Sequence, residues 1–316
     1  MNKIAELIKK SDNILIISHK KPDGDTLGSA FALYHTLFDM GKKCEVTCLD
    51  KITPKYRFLT GGKETLNYTI TPSLVISVDC ASKDMIDSEI IEKYGVDICI
   101  DHHSINGNYA KYTYVESDSA AAGEIIFNLI NLLTDKITKT VADCLYTALS
   151  TDTGCFRYGN TTSRTLNIAS KLVEYGADNK KLNKQLFETM TKAQFEIEKK
   201  AFETIKFYFD GKIAVMRITQ KMLKETGAGL DDIDNISSLP RKIQGVWAAL
   251  TFRENEDKSI KVSARSGDEI DSAQLCSEVC GGGGHKRAAG AMVHSDMDTA
   301  EKMFLDYLKE KLLWTE

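Results

Sequence analysis

The sequence predicts an α/β protein in two parts: an N-terminal doubly wound domain built on a mainly parallel sheet, and a smaller C-terminal α+β domain, joined by a helical linker. Three observations predict this. Short, continuous apolar runs alternate with helical patterns through the first half of the chain, as in a sheet covered on both faces. A charged stretch without glycine or proline follows, from about 180 to 209. Beyond it β-like runs return, with helical segments between and after them. At 316 residues the chain is long enough for two cores. The expected limits are 1–180, 181–209 for the linker, and 210–316.

Taken in order, Ile4, Leu7 and Ile8 share one face of an amphipathic N-terminal helix, which lacks the apolar block of a signal peptide. Segments 14–19, 44–49, 74–79, 98–101 and 112–116 read as strands. Leu27, Ala30, Phe31, Tyr34 and Leu37 fall at helical spacing between the first two. Helices are expected around 119–133, 138–150 and 163–176, the last stopping at Tyr175-Gly176. The stretch 180–209 reads as one connecting helix. Strands are then expected at 213–218, 246–253, 259–266 and 290–293, and a closing helix near 298–313.

Composition narrows the function. Apolar content is 42% and the formal net charge is −4, so no global basic field is available to grip long nucleic acid. Duplex DNA is excluded as a partner; a compact anionic substrate held locally is not. No apolar run reaches the roughly 18 residues that span a bilayer. The eight cysteines lie mostly inside apolar patterns, as small hydrophobes do in a reducing cytoplasm, where the chain is expected to reside. Cys44 and Cys48, like Cys276 and Cys280, are four apart, which is not a zinc-site spacing.

The chemistry-bearing residues gather at strand ends. His19-Lys20-Lys21-Pro22-Asp23-Gly24-Asp25 begins where the first strand stops, and Gly24 is expected to let that loop turn back. The third strand ends on Asp79, the fourth on Asp101 followed by His102 and His103. A carboxylate closing a buried strand is costly unless paired or metal-bound. Helix capping explains one such residue, but not three strand ends at once. Asp152 adds a further carboxylate ahead of a glycine turn. Together His19, Asp23, Asp25, Asp79, His102 and Asp152 supply two imidazoles and four carboxylates, enough to neutralise two divalent cations. Such donors suit Mn²⁺ first, with Mg²⁺, Co²⁺ or Fe²⁺ as alternatives. Two ions about 4 Å apart activate water at neutral pH and clamp both oxygens of an in-line displacement at phosphorus.

The ordered set H-K-K-P-D-G-D-T-L-G-S, V-D at 78–79, D-H-H at 101–103, T-D-T-G-C-F-R-Y at 151–158 and C-G-G-G-G-H-K-R-A-A-G at 280–290 resembles the DHH-family phosphoesterases with a DHH-associated C-terminal domain. Length points to the oligoribonuclease subgroup that also acts as a pAp phosphatase. The resemblance implies that His19 and Asp23 hold one ion, that Asp25, His102 and Asp152 hold the other, and that Asp79 bridges them. It implies that Asp101 orients His102, that His103 faces the scissile phosphate, and that Arg157 and Arg265 contact substrate. The segment Ser119-Ala120-Ala121-Ala122-Gly123-Glu124 departs from the family, whose members often carry hydroxyl residues there.

In the second domain, Gly281 to Gly284 run into His285, Lys286 and Arg287. Glycines let backbone N–H groups converge on an anion, so Gly282, Gly283, Gly284 and His285 are expected to form a phosphate cradle rather than a flexible linker. Tyr158, beside Phe156, could stack a base, yet aromatics at such turns more often pack in the core. The expected activity is hydrolysis of short oligoribonucleotides or linear dinucleotides such as pApA, and of pAp, across a cleft between the two domains. The rivals are a cyclic di-AMP phosphodiesterase, a manganese pyrophosphatase and a non-catalytic RNA-binding module. A homodimer is left open.

Overall fold

The computed structural model describes residues 1–233 and 236–312. Residue 313 of the expected closing helix, and the end of the expected second domain, lie outside them. The chain divides between Thr189 and Met190 into two compact units.

The first unit runs α1 (Asn2–Lys10), β1 (Ile14–Ile17), α2 (Gly24–Asp39), β2 (Cys44–Thr47), β3 (Leu74–Val78), α3 (Ser88–Tyr94), β4 (Ile98–Asp101), β5 (Tyr112–Val115), α4 (Ala122–Leu133), α5 (Lys139–Asp152), α6 (Ser163–Glu174) and α7 (Asn179–Phe187). Its sheet has the order β2-β1-β3-β4-β5 and every pairing is parallel. Alternate residues of β1 serve opposite faces. Ile14 and Ile16 join the core under α1, α2, α4 and α5, while Leu15 and Ile17 join a smaller one with Ile86 and Ile90 of the α3 region. Double coverage is why these strands read as unbroken apolar runs. The order reverses between β1 and β3, and ligands of open α/β sheets bind outside the carboxyl ends of strands at such a switch.

Gly24 departs from expectation. It is the first residue of α2 and needs no left-handed backbone; a Cβ there would fall 2.4 Å from the Thr151 side chain. Gly28, a turn later, would meet the Cys144 carbonyl at 2.5 Å. These glycines let α2 lie close against α5, which brings the loop after β1 to the end of α5.

The second unit contains α8 (Lys192–Glu203), β6 (Lys206–Tyr208), β7 (Ile213–Ile218), α9 (Gln220–Thr226), β8 (Ala248–Glu254), β9 (Ile260–Ser266), α10 (Ser272–Cys280), β10 (Gly283–His285), β11 (Ala288–Val293) and α11 (Met297–Leu312). Its mixed sheet has the order β10-β11-β9-β8-β7-β6, antiparallel except for the β7–β8 pair. Ile260, Val262 and Ala264 face a core with Phe304 and Leu308 of α11. Lys261, Ser263 and Arg265 point to the opposite, half-buried face. The expected single connecting helix is instead α7 and α8. The break falls where the Thr191 hydroxyl accepts from Gln194 N at 2.9 Å and starts α8 as its cap. Among the described residues no helix is long and apolar enough to cross a membrane.

Candidate active site

Three strand ends and two helix ends of the first unit deliver the candidate ligands to one place. His19 follows β1, Asp79 follows β3 and Asp101 closes β4, with His102 and His103 next in the chain. Asp23 caps α2, its Oδ1 accepting from Asp25 N at 3.0 Å and Thr26 N at 3.1 Å. Capping and ligation are therefore not alternatives for this residue. Asp25 lies in the first turn of α2, and Asp152 is the last residue of α5.

His19 Nε2 stands 3.7 Å from Asp23 Oδ1 and 3.6 Å from Asp79 Oδ2. His102 Nε2 stands 3.4 Å from Asp79 Oδ1, 3.4 Å from Asp152 Oδ2 and 3.7 Å from Asp25 Oδ2. The two oxygens of Asp79 thus face different groups of donors. His19, Asp23 and Asp79 can hold one cation; Asp25, His102 and Asp152 can hold a second. Both imidazoles are turned the right way. His19 Nδ1 lies 2.6 Å from the Lys20 carbonyl and His102 Nδ1 3.2 Å from the Ser119 carbonyl. A carbonyl only accepts, so Nδ1 carries the proton and Nε2 presents its lone pair when the ring is neutral.

The donors also fit a divalent cation electrostatically. Asp79 is 2% exposed and its Oδ1 is buried with no hydrogen-bond partner among the described residues. An orphaned carboxylate oxygen costs free energy that a cation removes. Asp79 also adopts φ 60°, a left-handed conformation unusual outside glycine. Burial, reinforced by Asp79 and Asp152, pushes the Asp25 carboxyl well above the usual range. Burial does the same to Asp152, to about 7, against the pull of His102. Burial works against a charged His19, yet Asp23 and Asp79 carry its pKa up to about 11. His102 behaves alike, reaching about 10 through Asp79, Asp25 and Asp152. Protons thus hold this concentration of carboxylates together in the metal-free chain, and two cations would replace them.

Asp101 requires a correction. It was expected to orient His102, but its Oδ1 accepts from the His103 ring Nδ1 at 2.7 Å and meets His102 only through the main-chain N–H at 2.8 Å. The His102 ring turns instead to the Ser119 carbonyl, 3.2 Å from Nδ1, and the His103 ring to Asp101. Asn106 Nδ2 donates to Asp101 Oδ2 at 2.6 Å and fixes the carboxylate. The His103 Nδ1, 3.6 Å from Asp79, is committed to Asp101.

Arg164 went unnoticed in the sequence. On α6, it donates from Nη2 to Ser119 Oγ at 2.8 Å and from Nε to the buried Glu124 at 2.7 Å. It thereby holds the residue whose carbonyl orients His102. The buried Glu124 in the apolar pattern of α4 was the available signal, since such a carboxylate needs a cationic partner.

The loop after Asp152 is strained and tightly pinned. Gly154, Cys155 and Phe156 have φ of 56°, 59° and 62°. Cys155 N donates to the Ser150 carbonyl, and Arg157 N and Tyr158 N both donate to the Thr153 carbonyl. Arg157 Nε donates to the Gly154 carbonyl at 2.6 Å, and among the described residues its terminal amines have no hydrogen-bond partner. Phe156 packs against Tyr146 in the core, whereas Tyr158 is exposed.

In the second unit, Arg265 on β9, Ala288 on β11 and His285 on β10 are in register. Paired residues of antiparallel strands share a face, so Arg265 and His285 flank the small Ala288 on one surface. Of the four glycines, Gly283 and Gly284 lie on the edge strand β10. Gly281 ends α10 in a left-handed conformation. At Gly282 and Gly284 a Cβ would fall 2.5 and 2.6 Å from the carbonyls of Gly290 and Ala288. Close cross-strand packing therefore accounts for these two glycines, whereas Gly281 and Gly283 have nothing within 4 Å of a Cβ position, Gly281 with a left-handed backbone and Gly283 without one.

The strand-end constellation thus sits at the switch point of a parallel sheet, in a chain whose second unit is a mixed sheet. Residues 13–149 match the DHH family, N-terminal domain, and residues 210–312 match the DHHA1 domain. The chain is 30% identical over 318 residues to the bifunctional oligoribonuclease and PAP phosphatase NrnA of Thermus thermophilus, spanning 99% of this chain and 94% of that protein. It is 26% identical to the protein of the same name from Bacillus subtilis, over 96% of each. The structure of an exopolyphosphatase-related protein from Bacteroides fragilis superposes with a TM-score of 0.92 at 26% identity, over 100% of this chain and 97% of that one. The chain belongs to the DHH family of phosphoesterases.

Proposed function

We propose that this protein hydrolyses short oligoribonucleotides and linear dinucleotides such as pApA, and the 3′-phosphate of pAp, with two Mn²⁺ ions. The observation that carries this reading is the division of Asp79, whose two oxygens face separate groups of ligands. It supports a bridging carboxylate between an ion held by His19 and Asp23 and one held by Asp25, His102 and Asp152. Ions so held would supply Lewis-acid charge at the scissile phosphate and would lower the pKa of water.

The chain's own residues do the rest. His103, its Nδ1–H given to Asp101, presents Nε2 for proton exchange with the leaving oxygen. Arg157, anchored through Nε, offers its terminal amines to a phosphate oxygen. In the second unit Arg265 and His285 hold the far phosphate over Ala288, where Gly283 leaves room for close approach. The relatives named oligoribonuclease and PAP phosphatase support this substrate class. The absence of a global basic charge agrees with few phosphate contacts. The test is a product time course with Mn²⁺ on pAp, pApA, cyclic di-AMP, pyrophosphate and a 5-mer RNA. Turnover of pApA, pAp and the 5-mer is expected. Exclusive hydrolysis of cyclic di-AMP or pyrophosphate, or binding without turnover, would replace this reading with one of its rivals.

A further inference from the structure

We propose that Tyr158 is a fixed stacking platform for the nucleobase next to the scissile phosphate, so that the metal-bearing unit reads a base as well as a phosphate. This rests on the phosphoesterase reading for the identity of the phosphate, though not for the stacking itself.

Tyr158 is 60% exposed, although it belongs to one of the most constrained loops of the molecule. Its N–H donates to the Thr153 carbonyl at 3.0 Å and its carbonyl accepts from Thr161 N at 3.1 Å. The first of these folds the chain back to the residue that follows the candidate ligand Asp152. The ring rests on Gly154. A Cβ at that glycine would lie 2.3 Å from the ring Cζ, 2.5 Å from Cε1 and 2.6 Å from Cε2. Near-equal distances to three ring atoms place that point over the face of the ring, not beyond its edge. Gly154 also has φ 56°, so two independent constraints keep a side chain out of that position. One face of the ring is therefore backed by main chain and the other faces solvent. Among the described residues the hydroxyl has no hydrogen-bond partner, so no polar contact explains the placement.

A planar aromatic with a rigid back and an open front suits a flat π-system. The same glycine whose Cα supports the ring uses its carbonyl to hold Arg157 Nε. In seven residues, Asp152 to Tyr158, the loop thus presents a carboxylate for a cation, a guanidinium for a phosphate oxygen and a ring for a base. The last two answer the phosphate and the base of one nucleotide. Every base has a π-face, so such a platform tolerates sequence while rejecting phosphoesters without a base.

The test measures binding of AMP and of ribose 5-phosphate to the full-length Mn²⁺-loaded chain by calorimetry. The wild type is expected to prefer AMP by roughly 10-fold, the lower range of base–aromatic stacking. Tyr158→Ala should abolish the preference with Mn²⁺ content unchanged. Tyr158→Leu, which keeps apolar cover on Gly154 but loses the planar face, should abolish it too. Tyr158→Phe and Tyr158→Trp should retain it. A preference that survives in both Tyr158→Ala and Tyr158→Leu overturns the proposal. So does its loss in Tyr158→Phe, which would assign the effect to the hydroxyl. The two readings fail separately. A chain that hydrolyses neither pApA nor pAp but keeps a Tyr158-dependent preference for AMP refutes the hydrolase reading alone.

Discussion

The two units hold their candidate residues by opposite means. In the first, the donors are largely buried and sit on turns that leave the preferred backbone regions: Lys21 at φ 53°, Asp79 at φ 60°, Cys155 and Phe156 near 60°. Each such residue costs about 1–3 kcal/mol and persists only where its surroundings over-determine it. Here they do, because all three imidazoles are tied through Nδ1 to a fixed oxygen. In the second unit Arg265 and His285 stand on regular antiparallel strands, one half-buried and the other exposed. The difference teaches what each task demands. Concentrating four carboxylates requires strain and cross-tying; anchoring an anion requires a cation on a flat, small-residue surface.

Removing the carboxylate shared by both groups of ligands should have the largest effect. Asp79→Ala is expected to lower kcat by about 1000-fold or more, several kcal/mol of transition-state stabilisation. Bound Mn²⁺, counted by mass spectrometry, should fall in parallel. Near-native activity with two ions bound would end the bridging assignment. Next comes the pair that the structure reassigned. Asp101→Asn should keep both ions yet lose roughly 100-fold in kcat, the lower range for a misplaced general acid. His103→Ala should lose as much, and the double variant little more. Loss of metal in Asp101→Asn would instead return Asp101 to the support of His102.

The same contrast decides what the sequence could reveal. His19, Asp79 and Asp101 were legible because an apolar strand that ends on a polar residue breaks its own pattern, and the parallel sheet followed from runs with no polar face. The partners of those residues were not legible. That Asp101 meets the His103 ring depends on how one turn folds, and the Ser119 carbonyl and Arg164 reach His102 only through tertiary contact. Gly282 and Gly284 suggested a cradle because a run of glycines carries no sign of which neighbour comes close; here it is β11. The break between α7 and α8 did have a local signal, Thr191 three residues before Gln194, but helical periodicity on both sides obscured it.

A third test uses the protons that hold the metal-free site together. His19 and His102 have pKa values raised to about 11 and about 10, so both rings are protonated at pH 7 without metal. A cation needs the neutral ring, so binding releases a proton at each. The sign follows: below those values affinity rises with pH, by about 10-fold per unit for each proton displaced. Mn²⁺ titrations at pH 6, 7 and 8 in buffers of different ionisation enthalpy would measure this. Affinity independent of pH, with no proton released, would remove the two imidazoles from the ligand set. Arg265 and His285 lie outside this linkage, and their substitution should leave its slope unchanged.

The smallest effects belong to the second unit, and they isolate its contribution. Arg265→Ala and His285→Ala should raise KM on pApA by about 10-fold, the weight of one charge-assisted contact at a partly exposed site. Metal content should be intact, with a smaller change in kcat where remote binding energy also positions the reacting phosphorus. Bis-p-nitrophenyl phosphate, which has no distal phosphate to anchor, should be hydrolysed nearly as fast by these variants as by the wild type. Gly283 sharpens the point. Valine at Gly282 or Gly284 would collide with the backbone of β11, so any loss there would confound folding with binding. Gly283 has nothing within 4 Å of a Cβ position and lies on a strand, where valine is well tolerated. Gly283→Val should therefore melt at the wild-type temperature and bind metal normally, yet raise KM on pApA several-fold by blocking close approach of a phosphate to the main chain. If Gly283→Val has native kinetics while Arg265→Ala does not, the anchor is a side-chain contact alone and the glycines serve only the hairpin. If Arg265→Ala and His285→Ala lose the minimal ester as completely as pApA, the two units do not divide binding from chemistry at all.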